Sequence, residues 1–239
     1  MPQSHTRIST IHTSNQSNTS QCNNTKNNIH ETTKKIKQSL RLSMNGIVSA
    51  HQRRQGLNYK INFGVEIPRL KELALQYEKS EELAFALWQE NIRECKLLAI
   101  YLLPQESYHT VASKWIAEAP FTEIADHLAM NILCKLPDAV AEALQWSNHP
   151  AELHKYCGYI TLAHLARKGC TFTAQQEECF YKQIVAILDS EETSIIKNCA
   201  CKALCSYIDE DSERATRLLA YAAPDSTAAT FVRDYLQSF

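Results

Sequence analysis

From Val65 to the carboxyl terminus the apolar residues recur at helical spacing, never at the alternation of a half-buried strand. Leu70, Leu73, Ala74 and Tyr77 open the pattern. It predicts further helices at about 81–89, 92–103, 106–118, 121–135, 137–146, 150–168, 173–190, 192–208, 210–222 and 226–237. The breaks between them are chemical. Pro68 falls in a first helical turn, where its missing N–H costs nothing, and Pro137 and Pro150 stand at helix starts. Thr173 with Gln176 fits a capping box, and Arg167-Lys168-Gly169 forms a carboxyl-terminal stop. With five glycines in 239 residues and short gaps, little chain is left for a β-domain.

The helices come in pairs that resemble one another. Ala86-Leu87-Trp88-Gln89-Glu90-Asn91-Ile92-Arg93, Gln145-Trp146-Ser147-Asn148-His149-Pro150-Ala151-Glu152-Leu153-His154 and Ile187-Leu188-Asp189-Ser190-Glu191-Glu192-Thr193-Ser194-Ile195-Ile196-Lys197 each end one helix, turn through polar residues and start a second. In the last of these, Ile196, Cys199, Ala200, Ala203, Leu204 and Tyr207 form one apolar stripe. The pairing resembles the HEAT repeat, which implies an all-α solenoid of antiparallel helix pairs with a concave groove.

Ahead of this body, residues 1–30 are dominated by Asn, Ser, Thr, Gln and His, and the sequence predicts a disordered tail there, with helical patterning starting near Glu31 and one repeat domain over 31–239. Met44 is a second possible start. Residues 1–63 carry nine Lys/Arg against the single acid Glu31, a net of +8, and the rest of the chain carries −9. A basic front end suits a phosphate backbone, whereas an acidic body must gather its cations on one surface to do so. No apolar run reaches the roughly 20 residues of a membrane span, and the amino terminus lacks the apolar core of a secretory signal. A cytoplasmic, monomeric protein without cofactors is expected. Most of the nine cysteines lie in apolar helical patterns and read as reduced core residues. Cys199 and Cys201 point nearly opposite ways on a helix, so with Cys205 they cannot converge on a zinc ion, and no metal is expected.

Neither a phosphate-binding glycine loop nor a zinc-finger spacing nor a serine elbow is present. Asn62-Phe63-Gly64-Val65-Glu66-Ile67-Pro68-Arg69-Leu70-Lys71-Glu72-Leu73-Ala74, however, resembles the opening motif of the HEAT-like-repeat alkylpurine DNA glycosylases of the AlkD type. Leu83-Ala84-Phe85-Ala86-Leu87-Trp88, Arg93-Glu94 and Leu98-Ala99 are similar to that family's next helices. The resemblance spans about residues 40–222 and implies binding of double-stranded DNA in the groove and excision of purines made cationic by N3 or N7 alkylation. Such a base is already a good leaving group. What remains for the protein is aromatic contact with the cation and a carboxylate beside the developing oxocarbenium ion.

The family's two tryptophans and aspartate carry over only in part. Its Trp-Trp-Asp-x-x-Asp segment resembles Phe121-Thr122-Glu123-Ile124-Ala125-Asp126, which keeps the catalytic aspartate as Asp126 and places Thr122 where the catalytic tryptophan stands. The second tryptophan falls near Glu152, ahead of His154 and Lys155. Phe121, Thr122 and Glu152 are thus groove candidates, and His154, Lys155, Arg167 and Lys168 are candidates for DNA phosphates. Trp115 and Trp146, at core spacing, read as packing residues. Two classes remain open: a DNA-repair protein with weakened or lost excision, and a non-enzymatic scaffold whose groove binds a protein or a DNA structure.

Overall fold

The computed structural model describes residues 15–209 and 211–237, with side chains from residue 27 onward. Thirteen α-helices lie among them: α1 (Asn15–Leu42), α2 (Gly46–Arg54), α3 (Ile67–Ala74), α4 (Glu81–Trp88), α5 (Arg93–Leu102), α6 (Tyr108–Glu118), α7 (Thr122–Asn131), α8 (Ala139–Ser147), α9 (Glu152–Arg167), α10 (Ala174–Leu188), α11 (Ser194–Ile208), α12 (Ser212–Leu219) and α13 (Thr227–Gln237). The fold is a HEAT-like stack of helix pairs. α3, α5, α7, α9 and α11 pack side by side as an inner layer; α4 covers α5, α6 covers α7 and α9, and α8 and α10 continue the outer layer, which α12 and α13 close at the carboxyl-terminal end.

Two boundaries differ from the periodicity. α1 begins at Asn15 rather than near Glu31, and the remainder of the predicted tail, residues 1–14, lies outside the described residues. Among the residues of α1 whose side chains are described, those buried are Thr33, Ile36 and Leu40. The single helix expected over 121–135 is instead α7 followed by a 3-10 turn at Leu133–Lys135. Pro137 forces Leu136 into extended backbone (φ −67°, ψ 148°), and the last turn tightens ahead of it.

The core is continuous through both layers. Trp115, fully buried, stacks on Trp88 at 4.2 Å, and the Trp88 indole donates to Glu118 at 2.7 Å. Trp146 is also core, as its spacing predicts. Gly158 lets α9 cross α8 closely, since a Cβ there would stand 2.3 Å from the Ser147 backbone nitrogen. Gly64, at φ +71°, has the same reason to be glycine: a Cβ would meet the Asn45 carbonyl at 2.2 Å. The motif around it is therefore a joint. Glu94, fully buried, accepts from the backbone N–H groups of Phe63 and Val65 at 3.2 Å each, and Arg93 donates to the Val65 carbonyl at 3.0 Å.

Candidate functional site

Asp126 lies one turn beyond Thr122 on α7, on the side turned toward α9 and α11. Its Oδ1 accepts a hydrogen bond from the Tyr156 hydroxyl at 2.9 Å. Burial raises the Asp126 pKa; the Tyr156 hydrogen bond and the charge of Lys202 oppose that rise, and Glu123 adds to it. The carboxylate is thus half-buried, supported by one donor, and faced by a lysine from α11.

On the amino-terminal side of Asp126 the inner layer carries a second charged group. Arg93 of α5, 2 % exposed, grips Glu123 of α7 through Nε at 3.0 Å and Nη2 at 2.6 Å, and the Tyr59 hydroxyl donates to the same carboxylate at 2.9 Å. Burial and Glu123 together push the Tyr59 phenol far above its ordinary pKa. These partners use up Glu123, which leaves Asp126 as the carboxylate of α7 with a single donor among the described residues. His127 is also tied down: its Nδ1 sits 3.1 Å from the Tyr101 hydroxyl, and burial lowers its pKa.

The aromatic candidates do not form a shelf beside Asp126. Phe121 caps the amino terminus of α7, and its ring packs edge-on against Tyr59 at 4.5 Å. Thr122 is half-buried in the first turn. Glu152 is exposed at the start of α9, where it accepts from Thr193 at 3.3 Å. One turn further along α9, Tyr156 is the aromatic residue that reaches the carboxylate. The sequence did not single it out, and it is 9 % exposed.

The cations divide into two sets, and here the sequence reading needs correction. His154 is 6 % exposed, stacked on His149 at 4.1 Å and hydrogen-bonded to the Ser113 backbone of α6; burial and His149 lower its pKa. It faces the outer layer and cannot meet a phosphate. Lys155 is ion-paired with Glu192 and lines a cavity of about 440 Å³ with His149 and Gln183, so it too is withdrawn from the face that carries Asp126. Arg167 and Lys168 lie at the other end of α9, about 18 Å from Lys155 along the helix axis, and both are exposed.

With these two stand cations that the sequence did not single out. Lys135 feels the charges of Lys79 and Lys168, and His164 those of Arg167, Lys202 and Lys168. Burial and these cations lower the His164 pKa to about 4. Lys79, Lys135, Arg167, Lys168 and Lys202 thus form a continuous basic rim along the inner layer, extended by Lys71 of α3, whose charge reaches His127. None of the six forms an ion pair within 4.0 Å among the described residues, and Lys202 meets the Asp126 carboxylate only at longer range. Lys37, Arg69, Lys114, Lys182, Arg214 and Arg217 each pair with a carboxylate, whereas Lys34, Lys35, Arg41, Arg53, Arg54, Lys60, Lys96, Lys197 and Arg233 form no such pair among the described residues; what sets the rim apart is that its unpaired cations feel one another's charge.

The family model for DNA alkylation repair enzymes matches residues 36–234. The chain belongs to the DNA alkylation repair enzyme family. A solved structure described as one of "a new family of proteins related to the HEAT-like repeat DNA glycosylases with affinity for branched DNA structures" is similar to this DNA alkylation repair family member, with a TM-score of 0.68 and 15% identity, over 86% of this chain and 94% of that one. At that identity the likeness speaks for the fold. No curated protein matched.

No group of three or more His, Cys, Asp or Glu among the described residues is arranged to hold a metal ion. Cys199 lies near Asp126 and Cys157, whereas Cys201 and Cys205 influence each other one turn apart. No described helix is long and apolar enough to cross a membrane.

Proposed function

We propose that this member of the DNA alkylation repair family binds duplex DNA across its inner layer and excises cationic N3- or N7-alkylated purines weakly, with Asp126 as the charge beside the reacting sugar. The observation that carries the reading is the unpaired rim of Lys71, Lys79, Lys135, Arg167, Lys168 and Lys202 flanking Asp126. Cations without carboxylate partners repel one another, and a phosphate backbone relieves that repulsion while its counterions are released. An acidic body that gathers cations on one face is arranged for a polyanion.

Asp126 supplies what the chemistry of a cationic base still requires. As the glycosidic bond breaks, positive charge grows on the sugar, and a carboxylate held in a partly desolvated site stabilises it more than one in water does. Tyr156 fixes the orientation of that carboxylate and keeps it ionised against its burial. Thr122 and Glu152 offer no aromatic face to the base. Each missing cation–π contact, worth about 0.5–2 kcal/mol, lowers the rate roughly two- to thirtyfold.

The test is single-turnover release of 7-methylguanine and 3-methyladenine from duplex DNA by the wild type and by Asp126→Asn, which keeps the size and removes the charge. Slow release that disappears in the variant supports the reading. Equal release by both moves the site elsewhere, and DNA binding without release by either leaves a non-catalytic DNA binder.

A further inference from the structure

On the carboxyl-terminal side of Asp126 the inner layer opens into a cavity of about 550 Å³, lined among others by Lys71, Lys79, Lys135, Tyr77, Tyr101 and Asn131. Among the described residues no carboxylate lines it. The three lysines are exposed, while Tyr77 and Tyr101 are half-buried, so charge surrounds the mouth and aromatic surface sits deeper. The volume falls within the range of roughly 300–1,000 Å³ typical of small-ligand sites. Burial and the neighbouring Lys79 and Lys168 lower the pKa of Lys135, a lysine in want of an anion.

This combination suits one kind of ligand. Phosphate alone would need the lysines and not the tyrosines; an apolar molecule would need the reverse. A nucleotide needs both, because its phosphate seeks cations and its base stacks on aromatic faces regardless of sequence. A base paired within a duplex has no free face to offer. Asn131 lies five residues beyond Asp126 on α7, a rise of about 7.5 Å, which is roughly two nucleotide steps at 3.4 Å each. We infer that the Lys71–Lys79–Lys135 cavity is a second DNA subsite that takes a single unpaired, 5′-phosphorylated nucleotide at the end or branch of a duplex lying on the basic rim. The inference rests on the DNA-binding reading given above, and it adds a preference for DNA with an unpaired nucleotide over intact duplex.

The probe is a duplex with one unpaired 5′-phosphorylated 2-aminopurine nucleotide and a dye at the far end, compared with a blunt duplex and with free deoxyadenosine monophosphate. Both duplexes are expected to bind by dye anisotropy, the unpaired one roughly tenfold tighter, the size of one base-stacking contact, with its 2-aminopurine emission quenched. Tyr77→Leu should abolish the quench and the preference while blunt-duplex affinity stays the same. Lys135→Gln, at an exposed position that does not threaten folding, should lower the preference for a 5′-phosphate over a 5′-hydroxyl. Equal affinity for both duplexes without quenching overturns the subsite and leaves the DNA reading standing. Failure to bind either duplex overturns both. Binding of the free mononucleotide as tightly as the unpaired end would mark a free-nucleotide pocket and overturn the proposal as well.

Discussion

The Tyr156 hydroxyl reaches from α9 to Asp126 on α7 and donates a hydrogen bond of 2.9 Å. That bond joins two neighbouring helices of the inner layer and is, among the described residues, the one hydrogen-bond donor to a carboxylate whose pKa burial raises. Removing it leaves burial less opposed. In Tyr156→Phe the Asp126 pKa should therefore climb further, and base release, which needs the carboxylate ionised, should begin at a higher pH than in the wild type. A pH–rate profile under single-turnover conditions measures this, and an unmoved acid limb would separate Asp126 from the chemistry.

The same burial has a stability consequence. A carboxyl group whose pKa is higher in the fold than in the unfolded chain binds more protons when folded, so its ionisation weakens the fold as pH rises through that interval. Above the folded pKa the full cost is present; below the unfolded one it is absent. Asp126→Asn should then melt at the same temperature as the wild type or higher at pH 7.5, even as base release is lost. A clearly lower melting temperature would make Asp126 a structural residue.

DNA affinity should fall steeply with salt. Replacing Lys135, Lys168 or Lys202 by Gln should each reduce the slope of log K against log salt by about 0.9, whereas Lys155→Gln, whose lysine is already paired with Glu192, should leave it unchanged. Equal effects at Lys155 and Lys168 would contradict the division of the cations between the two ends of α9.

His164 gives an independent measure of the rim. Its pKa is about 4 in the fold, depressed by burial and by Arg167, Lys202 and Lys168, against an ordinary 6.5. Between those values the unfolded chain holds the extra proton, so stability is lost as pH falls from about 6.5 toward 4. His164→Gln should flatten the melting temperature over that window. Bound phosphates neutralise the same cations, so His164 should take up a proton when DNA binds, measurable as an affinity that rises when the pH is lowered.

Residues 1–30 are proposed to be a polar tail that is disordered in solution, the first turns of α1 from Asn15 included. The sequence of α1 ahead of Ile29 offers no apolar stripe to dock, and from residue 27 onward the first buried side chain of that helix is Thr33. Limited proteolysis should leave a stable fragment beginning between about residues 28 and 45; a protected amino terminus would count against the tail.

Much of this architecture is visible in the residue pattern because periodicity and caps are local. The Thr173–Gln176 capping box forms as its spacing requires, and the turns between α4 and α5, α8 and α9, and α10 and α11 fall where the repeated polar segments lie. The site is less legible. One residue of rotation, about 100°, separates Lys155 from Tyr156, and in sequence nothing indicates that the first turns to Glu192 and the second to Asp126. Tyr59 reaches Glu123 from 64 residues away, and Lys71, Lys79 and Lys135 converge from three separate segments. Such groupings depend on how the repeats stack, which no local pattern records.

The register of the site itself is open to a gain-of-function test. Thr122 and Asp126 occupy successive turns of α7, so their side chains project on one stripe about 6 Å apart. Thr122 is only half-buried, and an indole there has an open side toward which to turn. If the duplex lies along the rim with the lesion at Asp126, Thr122→Trp should restore one cation–π contact and raise single-turnover release of 7-methylguanine by roughly two- to thirtyfold. It should do nothing in the Asp126→Asn background, because the aromatic face helps only a leaving group whose sugar cation is already supported. Replacing Glu152 by Trp tests the second position in the same way, at the cost of the contact with Thr193. An increase from Thr122→Trp that survives loss of Asp126 would show that the indole merely tightens DNA binding. No increase at all, with the fold and DNA affinity intact, would mean that Thr122 does not face the lesion and that the alignment of this helix with the family's catalytic segment is out of register.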